Sequence, residues 1–187
     1  SPLYSSAALD VYKGQVKNHL ETNVAVWCPA TERDIDLMEG VQRRATKMLP
    51  GMESLSYVAT LKKLKLPTLK YRRARGDMIE TFKILSGKYD RDVVPNLIMR
   101  EDVQSRSNAR GHTLTLFQGR SKLEVRRNSF TQRIIPVWNS LPNKVVTSNS
   151  TDSFKKNLDT HWSNQDLLFD HKAILTGVRH RGVIIPC

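Results

Sequence analysis

Apolar residues recur at helical spacing through most of the chain. Leu9, Tyr12, Val16 and Leu20 predict a helix near 5–20, which breaks at Trp27-Cys28-Pro29. Thr31 stands three residues before Asp34, a capping-box start with Asp in place of Glu. From there Ile35, Met38, Val41, Ala45 and Met48 read as one inward apolar stripe, which Pro50-Gly51 stops. A short helix is expected over 56–64, with Tyr57, Leu61 and Leu64 inward and Lys62, Lys63 and Lys65 outward. After Leu66-Pro67 a helix near 68–85 places Tyr71, Met78, Phe82 and Leu85 on its apolar face, and Ser86-Gly87 ends it.

The helical period is lost from 88 to 111, where Pro95, Asn96, Ser105, Ser107, Asn108 and Gly111 predict a long basic loop. Residues 113–117 and 122–126 alternate around Gly119 and predict a β-hairpin. Phe130, Ile134, Val137, Trp138 and Leu141 predict a short helix with Pro136 interrupting its middle. Ser150 or Thr151 caps a last helix carrying Phe154, Leu158 and Trp162, and 163–187 shows no clean period. The expected fold is therefore mainly α: short helices in a small bundle, one β-hairpin and a long basic loop.

Composition changes this picture in one respect, charge. The 187 residues carry 30 Lys and Arg against 18 Asp and Glu, a net charge of +12. Residues 60–135 hold 18 basic and 7 acidic residues, whereas 1–59 hold 6 and 7. A field so localised attracts polyanions, nucleic acid foremost, although a solvated surface is the plainer reading of any charged face. No run approaches the ~18 apolar residues of a membrane-spanning helix, so no membrane partner is expected. The start at Ser1-Pro2-Leu3 reads as part of a longer protein.

Catalytic chemistry is hard to find. The histidines His19, His112, His161, His171 and His180 have no ligand spacing and read as surface or packing residues. Asp34 and Asp36 lie two apart on a helix and share no face, and Asp90 and Asp92 sit in the loop. Cys28 reads as a small apolar residue rather than a nucleophile. No phosphate-binding loop, dinucleotide fingerprint, nucleophile elbow or zinc-protease motif is present. No enzyme activity, cofactor, metal or small-molecule substrate is expected of the chain by itself.

Basic groups with aromatics nearby are what the sequence does offer. Arg72, Arg73 and Arg75 crowd one helix, and Arg106, Arg110, Arg120, Lys122, Arg126 and Arg127 follow. Arginine forks onto phosphates and stacks on bases. Against that, Arg73 and Asp77 are i,i+4 and could pair on the helix surface, worth ~0.3–0.5 kcal/mol. Trp138 and Phe130 fit core packing better than base stacking, because they share a helical period with Ile134 and Leu141.

Several strings then occur in order. They are Val41-Gln-Arg-Arg-Ala-Thr-Lys47, Leu55-Ser-Tyr57, Leu64-Lys-Leu-Pro67 and Tyr71-Arg-Arg-Ala-Arg-Gly-Asp-Met-Ile-Glu-Thr-Phe-Lys83. Arg110-Gly-His112, Arg126-Arg-Asn-Ser-Phe130, Arg133-Ile-Ile-Pro-Val-Trp-Asn-Ser-Leu-Pro142 and Phe154-Lys-Lys-Asn-Leu-Asp159 complete the set. Together they resemble the C-terminal part of the pol polyprotein of non-LTR retrotransposons, the Jockey and chicken-repeat type long interspersed elements. The resemblance covers residues 10–162. It departs from the family at Leu20-Glu21-Thr22, where Leu-Glu-Tyr is usual, and at Cys28, where Ser is usual.

The resemblance implies reverse-transcriptase thumb-like helices over 1–52, a post-thumb basic module over 53–162 and an unassigned tail over 163–187, expected to be partly loose. The palm with its paired catalytic aspartates lies upstream in the family, and no Asp-Asp pair occurs here. The expected function is accordingly non-catalytic binding of template RNA, target DNA or their hybrid during target-primed reverse transcription. Arg43, Arg44 and Lys47 would face the duplex backbone, and Arg72, Arg73, Arg75, Arg106, Arg110, Arg120, Lys122, Arg126 and Arg127 would hold the strands. The implied partners are RNA or DNA and the palm and fingers of the same polyprotein, in a nuclear or nucleocytoplasmic setting. The competing expectation is an element-derived host module whose arginines bind an acidic protein.

Overall fold

A computed structural model describes residues 14, 17–22, 28–29, 31–103 and 112–178. Helices account for most of it: α1 (Lys17–Glu21), α2 (Glu32–Lys47), α3 (Tyr57–Leu64), α4 (Leu69–Leu85), α5 (Arg100–Val103), α6 (Glu124–Arg127), α7 (Phe130–Trp138), α8 (Asn143–Val146) and α9 (Thr151–His161), followed by a 3-10 turn at Asp166–Leu168. Among the described residues there is no β-strand, only one isolated antiparallel bridge between Met99 and Leu116. The expected helix over 5–20 lies outside the described residues except for α1, and so do Arg106 and Arg110 of the expected loop.

The described chain divides into two units, and α4 contributes residues to both. The first takes the chain up to Ala74 together with Asp166–Ile174. The Thr31 side chain accepts from the Asp34 N–H at 3.2 Å and starts α2, as the spacing predicts. Leu61 and Leu66 form a buried pair against which Ala45, Tyr57, Leu64 and Phe169 pack.

The inward row of α2 differs from the expected stripe. Ile35, Glu39, Gln42 and Thr46 are buried, while Val41 and Met48 of the expected stripe are 36% and 82% exposed. The reason is a polar network that makes burial of those groups favourable. The Glu39 carboxylate accepts from the Tyr57 hydroxyl at 2.6 Å and from the Lys70 backbone N–H at 3.1 Å in the first turn of α4. The Gln42 amide donates to the Tyr57 oxygen at 2.9 Å, and Arg72 donates to the Gln42 carbonyl oxygen. A carboxylate at a helix N-terminus is stabilised by the free N–H groups there, so Glu39 is buried with its charge compensated.

Residues 166–174, which lack any sequence period and belong to the segment expected to be a tail, are integral to this unit. Thr68 donates its N–H to the Leu168 carbonyl at 3.0 Å and its hydroxyl to that of Leu167 at 2.7 Å. The Lys70 ammonium donates to the His171 and Ala173 carbonyls at 3.1 Å each, and His171 Nε2 meets Asp36 at 2.8 Å. Leu167 and His171 are buried.

The second unit takes Arg75–Gln165 with residues 175–178. Its core joins Met78 and Phe82 of α4, Ile134, Val137 and Trp138 of α7, and Phe154 and Leu158 of α9, all buried. Phe82 stacks on Phe154 with ring centroids 4.4 Å apart, and Trp138 lies 6.0 Å from Phe154. Trp138 is thus a core residue. Gly87, at φ +66°, ends α4 with the Lys88 N–H on the Lys83 carbonyl, the closure a left-handed glycine permits. Pro136 sits inside α7 without breaking it. Ser150 caps α9 through the Ser153 N–H at 3.1 Å.

The expected hairpin does not form. Residues 124–127 are helical, and Leu123 and Val125 are 71% and 86% exposed rather than on an inward strand face. The 112–117 backbone finds its partners elsewhere. His112 Nε2 bonds the Trp138 carbonyl at 3.0 Å, Trp138 Nε1 donates to the Leu114 carbonyl at 2.8 Å, and the Asn139 amide bonds both the N–H and the C=O of Leu116, at 2.8 and 2.9 Å. Arg100 and Phe117 N–H groups close the pairing with 98–100 at 2.9 and 2.8 Å. Both backbone groups of Leu116, the carbonyls of Leu114 and Thr115 and the N–H of Phe117 are thus engaged away from 122–126. Burial also pushes the His112 imidazole below its ordinary pKa, against the opposing pull of the Trp138 carbonyl.

Asn139 stands in for the missing strand, so Asn139→Ala is expected to destabilise the chain by about 1–3 kcal/mol, because it leaves the buried Leu116 amide unsatisfied. Val125→Ala, on the face a hairpin would bury, is expected to change stability by no more than about 0.5 kcal/mol. Urea unfolding of the two variants checks both, and equal losses would contradict this pairing.

Candidate nucleic-acid interface

Residues 120–129, Arg-Ser-Lys-Leu-Glu-Val-Arg-Arg-Asn-Ser, fold into one turn of helix stitched by their own short polar groups. The Leu123 carbonyl accepts from the Ser121 hydroxyl at 3.1 Å and from the Arg127 N–H at 3.1 Å. At the other end the Ser129 hydroxyl donates to the Arg126 carbonyl at 2.7 Å. Arg127 folds back, donating through Nε to Ser121 O at 3.3 Å and through Nη2 to Lys122 O at 3.4 Å. Four cations, Arg120, Lys122, Arg126 and Arg127, are thereby gathered on an exposed knob whose single acid is Glu124. Arg120, Lys122 and Arg126 make no ion pair among the described residues.

What holds the knob is a buried arginine. Arg133 of α7 donates to both oxygens of Asp77 on α4, through Nε at 2.9 Å and Nη2 at 3.0 Å. Its Nη1 donates to the carbonyl of Asn128, the residue that ends α6, at 3.2 Å. The guanidinium lies 5.5 Å from the Phe130 ring centroid. The side chains of Arg133 and Asp77 are 3% and 6% exposed. One guanidinium therefore ties α4, α7 and the end of the knob together. Sequence reasoning missed Arg133; its i,i+3 neighbour Phe130 and the acid Asp77 on the apolar-facing side of α4 next to Met78 were the signals available.

The other expected contacts sort by burial. Arg72 pairs with Glu21 and Gln42, with its side chain 9% exposed. Arg73 is 2% exposed and donates to the Leu20 carbonyl at 3.0 Å. Arg75 forms a bidentate pair with Asp159, at 2.6 and 2.8 Å. These three are committed to the fold, and the helix around them does not present a cationic face. Arg43 is half-buried with its guanidinium 5.1 Å from the Tyr57 ring centroid. Arg44 and Lys47 are exposed on α2, and Lys62, Lys63 and Lys65 are exposed at the end of α3. Those three lysines are legible in the sequence as an outward run, yet charge clustering alone does not mark them as expected contacts.

A cavity of about 220 Å³ in the first unit is lined by Glu32, Ile35, Asp36, Lys70, His171 and Lys172. Burial lowers the Lys70 pKa, and the carboxylates of Glu32, Asp170, Glu39 and Asp36 oppose that. The two carbonyls that Lys70 holds make it a clamp on residues 171–173. No group of three His, Cys, Asp or Glu side chains among the described residues is placed to hold a metal ion. Cys28 is half-buried and is not a free thiol. No described helix is long and apolar enough to cross a membrane.

Compared with known proteins, the chain matches no family model, no curated protein and no solved structure.

Removing the acid of the buried pair takes away the carboxylate that compensates the Arg133 charge. Asp77→Ala is expected to lower stability by about 3–5 kcal/mol. Replacing both partners with apolar groups, Asp77→Leu with Arg133→Met, is expected to recover most of that. Urea unfolding of the two variants checks it, and a double variant as unstable as the single one would contradict the assignment.

Proposed function

We propose that this chain is a non-catalytic thumb and post-thumb segment of a Jockey or chicken-repeat type retrotransposon pol protein, and that it holds nucleic acid through the 120–127 knob. The order of the eight sequence strings supports the family reading. The mainly helical architecture agrees with it. The observation that carries the binding reading is the contrast among arginines. Those at 72, 73, 75 and 133 are committed to carboxylates, an amide or carbonyls of the fold, whereas the 120–127 element exposes four cations on a braced turn.

Such a knob suits phosphate. Arg127 is held in place by backbone carbonyls, so less side-chain freedom is lost when a ligand engages its remaining donors. Lys47, Lys62, Lys63 and Lys65 add exposed positive charge on the first unit. No described element presents a run of base-reading side chains, so contacts to the backbone dominate and sequence preference is small. The polyprotein's palm and fingers supply the chemistry, and this segment adds grip on template RNA, target DNA or their hybrid. A nuclear or nucleocytoplasmic site of action belongs to the same reading.

Binding to an RNA–DNA hybrid, titrated across salt, tests it. Every phosphate that a variant no longer neutralises flattens the log–log salt slope by about one. Replacing Arg120, Lys122, Arg126 and Arg127 together by alanine is expected to flatten the slope by about 2–4. Arg75→Ala, which breaks a structural pair, is expected to leave the slope unchanged. A fourfold variant with the wild-type slope would overturn the assignment.

A further inference from the structure

The outward face of α2 is unlike a solvated helix surface. Arg33, Leu37, Val41, Arg44 and Met48 follow one another at intervals of four, four, three and four residues. At 100° per residue all five fall within about 40° of a single line along the helix. Leu37, Val41 and Met48 are 62%, 36% and 82% exposed, and both arginines are exposed. The stripe is about 22 Å long at 1.5 Å per residue, enough for three to four turns of a partner helix.

This exposure is fixed by the opposite face. Glu39 and Gln42 are fully buried there and hold Tyr57, the Lys70 N–H and Arg72. Rolling α2 to bury the apolar stripe would strand that carboxylate and amide without partners, an outcome buried polar groups do not tolerate. The apolar line therefore stays outward.

We propose that this stripe is a docking site for an amphipathic helix of an acidic partner protein, one that presents apolar anchors between carboxylates. Leu37, Val41 and Met48 supply the apolar seam, and Met48 adapts to the shape of the anchor. Arg33 and Arg44, eleven residues apart, bracket Leu37 and Val41, with Met48 one turn beyond Arg44, and take carboxylates at matching spacing. A second copy of this chain is disfavoured, because two stripes together bring four arginines and no carboxylate. Of the acids nearby, Asp34 is engaged by Thr31 and Asp36 by His171, and Glu32 lies on the cavity side of α2, away from the stripe. Phosphates would satisfy the two arginines and leave the three apolar side chains in contact with sugar and water. The proposal is independent of nucleic-acid binding, since it uses no residue of the 120–127 knob.

The test is fluorescence anisotropy with the full chain and a labelled synthetic amphipathic helix carrying leucine anchors and glutamates at eleven-residue spacing, beside an identical peptide with lysine for glutamate. The glutamate peptide is expected to bind and the lysine peptide not. Arg33→Glu with Arg44→Glu is expected to weaken the first by about tenfold or more and to admit the second, a reversal that mere damage to the fold would not give. Leu37→Ser with Met48→Ser, both at exposed positions, is expected to abolish binding with unfolding unchanged. Equal affinity for both peptides, or none for either, would overturn the proposal. A wild-type dimer that becomes monomeric in the serine variant would assign the stripe to a second copy instead, and displacement of the peptide by an RNA–DNA hybrid would assign it to nucleic acid. Hybrid binding by the Leu37→Ser with Met48→Ser variant is expected to stay at the wild-type level, which separates this outcome from that of the knob.

Discussion

A buried guanidinium must be given its hydrogen bonds, and Arg133 is where this chain meets that requirement most fully. Asp77 takes two of its donors and the Asn128 carbonyl a third, with Phe130 packed nearby. Removing an ion pair of this kind halfway is far worse than never having it, because the remaining charge has no water to fall back on. The position of α7 on α4 and the end of the basic knob therefore stand or fall together. A surface element that must keep several like charges close gains from such a brace, since their mutual repulsion would otherwise spread it.

Glu39 plays the corresponding part in the first unit. It satisfies the start of α4 and the Tyr57 hydroxyl at once, and Gln42 and Arg72 extend the network. Both units thus fix helix register with polar contacts and fill the remaining space with apolar ones. This arrangement explains how a helix can carry leucine, valine and methionine on its solvent side. Specific partners hold the inward row, so hydrophobic burial alone does not decide which face turns in.

Helix positions were largely legible in the sequence. Thr31 caps where the spacing places it, Ser150 is the one of the two expected residues that caps α9, and Ser86-Gly87 stops α4. Facing was less legible. On α2 the apolar period pointed to Val41 and Met48, because periodicity scores Glu39 and Gln42 as surface residues and cannot see that Tyr57, Lys70 and Arg72 will meet them. The hairpin reading failed for a similar reason. Alternation at 113–117 is real, but its partners are the side chain of Asn139 and the backbone of 98–100, contacts remote in sequence. At the candidate interface, the cluster at 120–127 was visible as charge. That Arg72 and Arg73 belong to the interior and that Arg75 is tied to Asp159 was not, since their partners Glu21, Leu20 and Asp159 lie 51, 53 and 84 residues away.

The central claim is that burial and pairing divide the arginines of this chain into those that build it and those that grip a polyanion. Arginine-selective chemical modification, mapped residue by residue with and without saturating RNA–DNA hybrid, tests that division directly. The account predicts that Arg73 and Arg133 stay unreactive in both samples, and that Arg120 and Arg126 react freely and are protected by the hybrid. Knob arginines that remain fully reactive under saturating hybrid, with protection falling elsewhere, would contradict it.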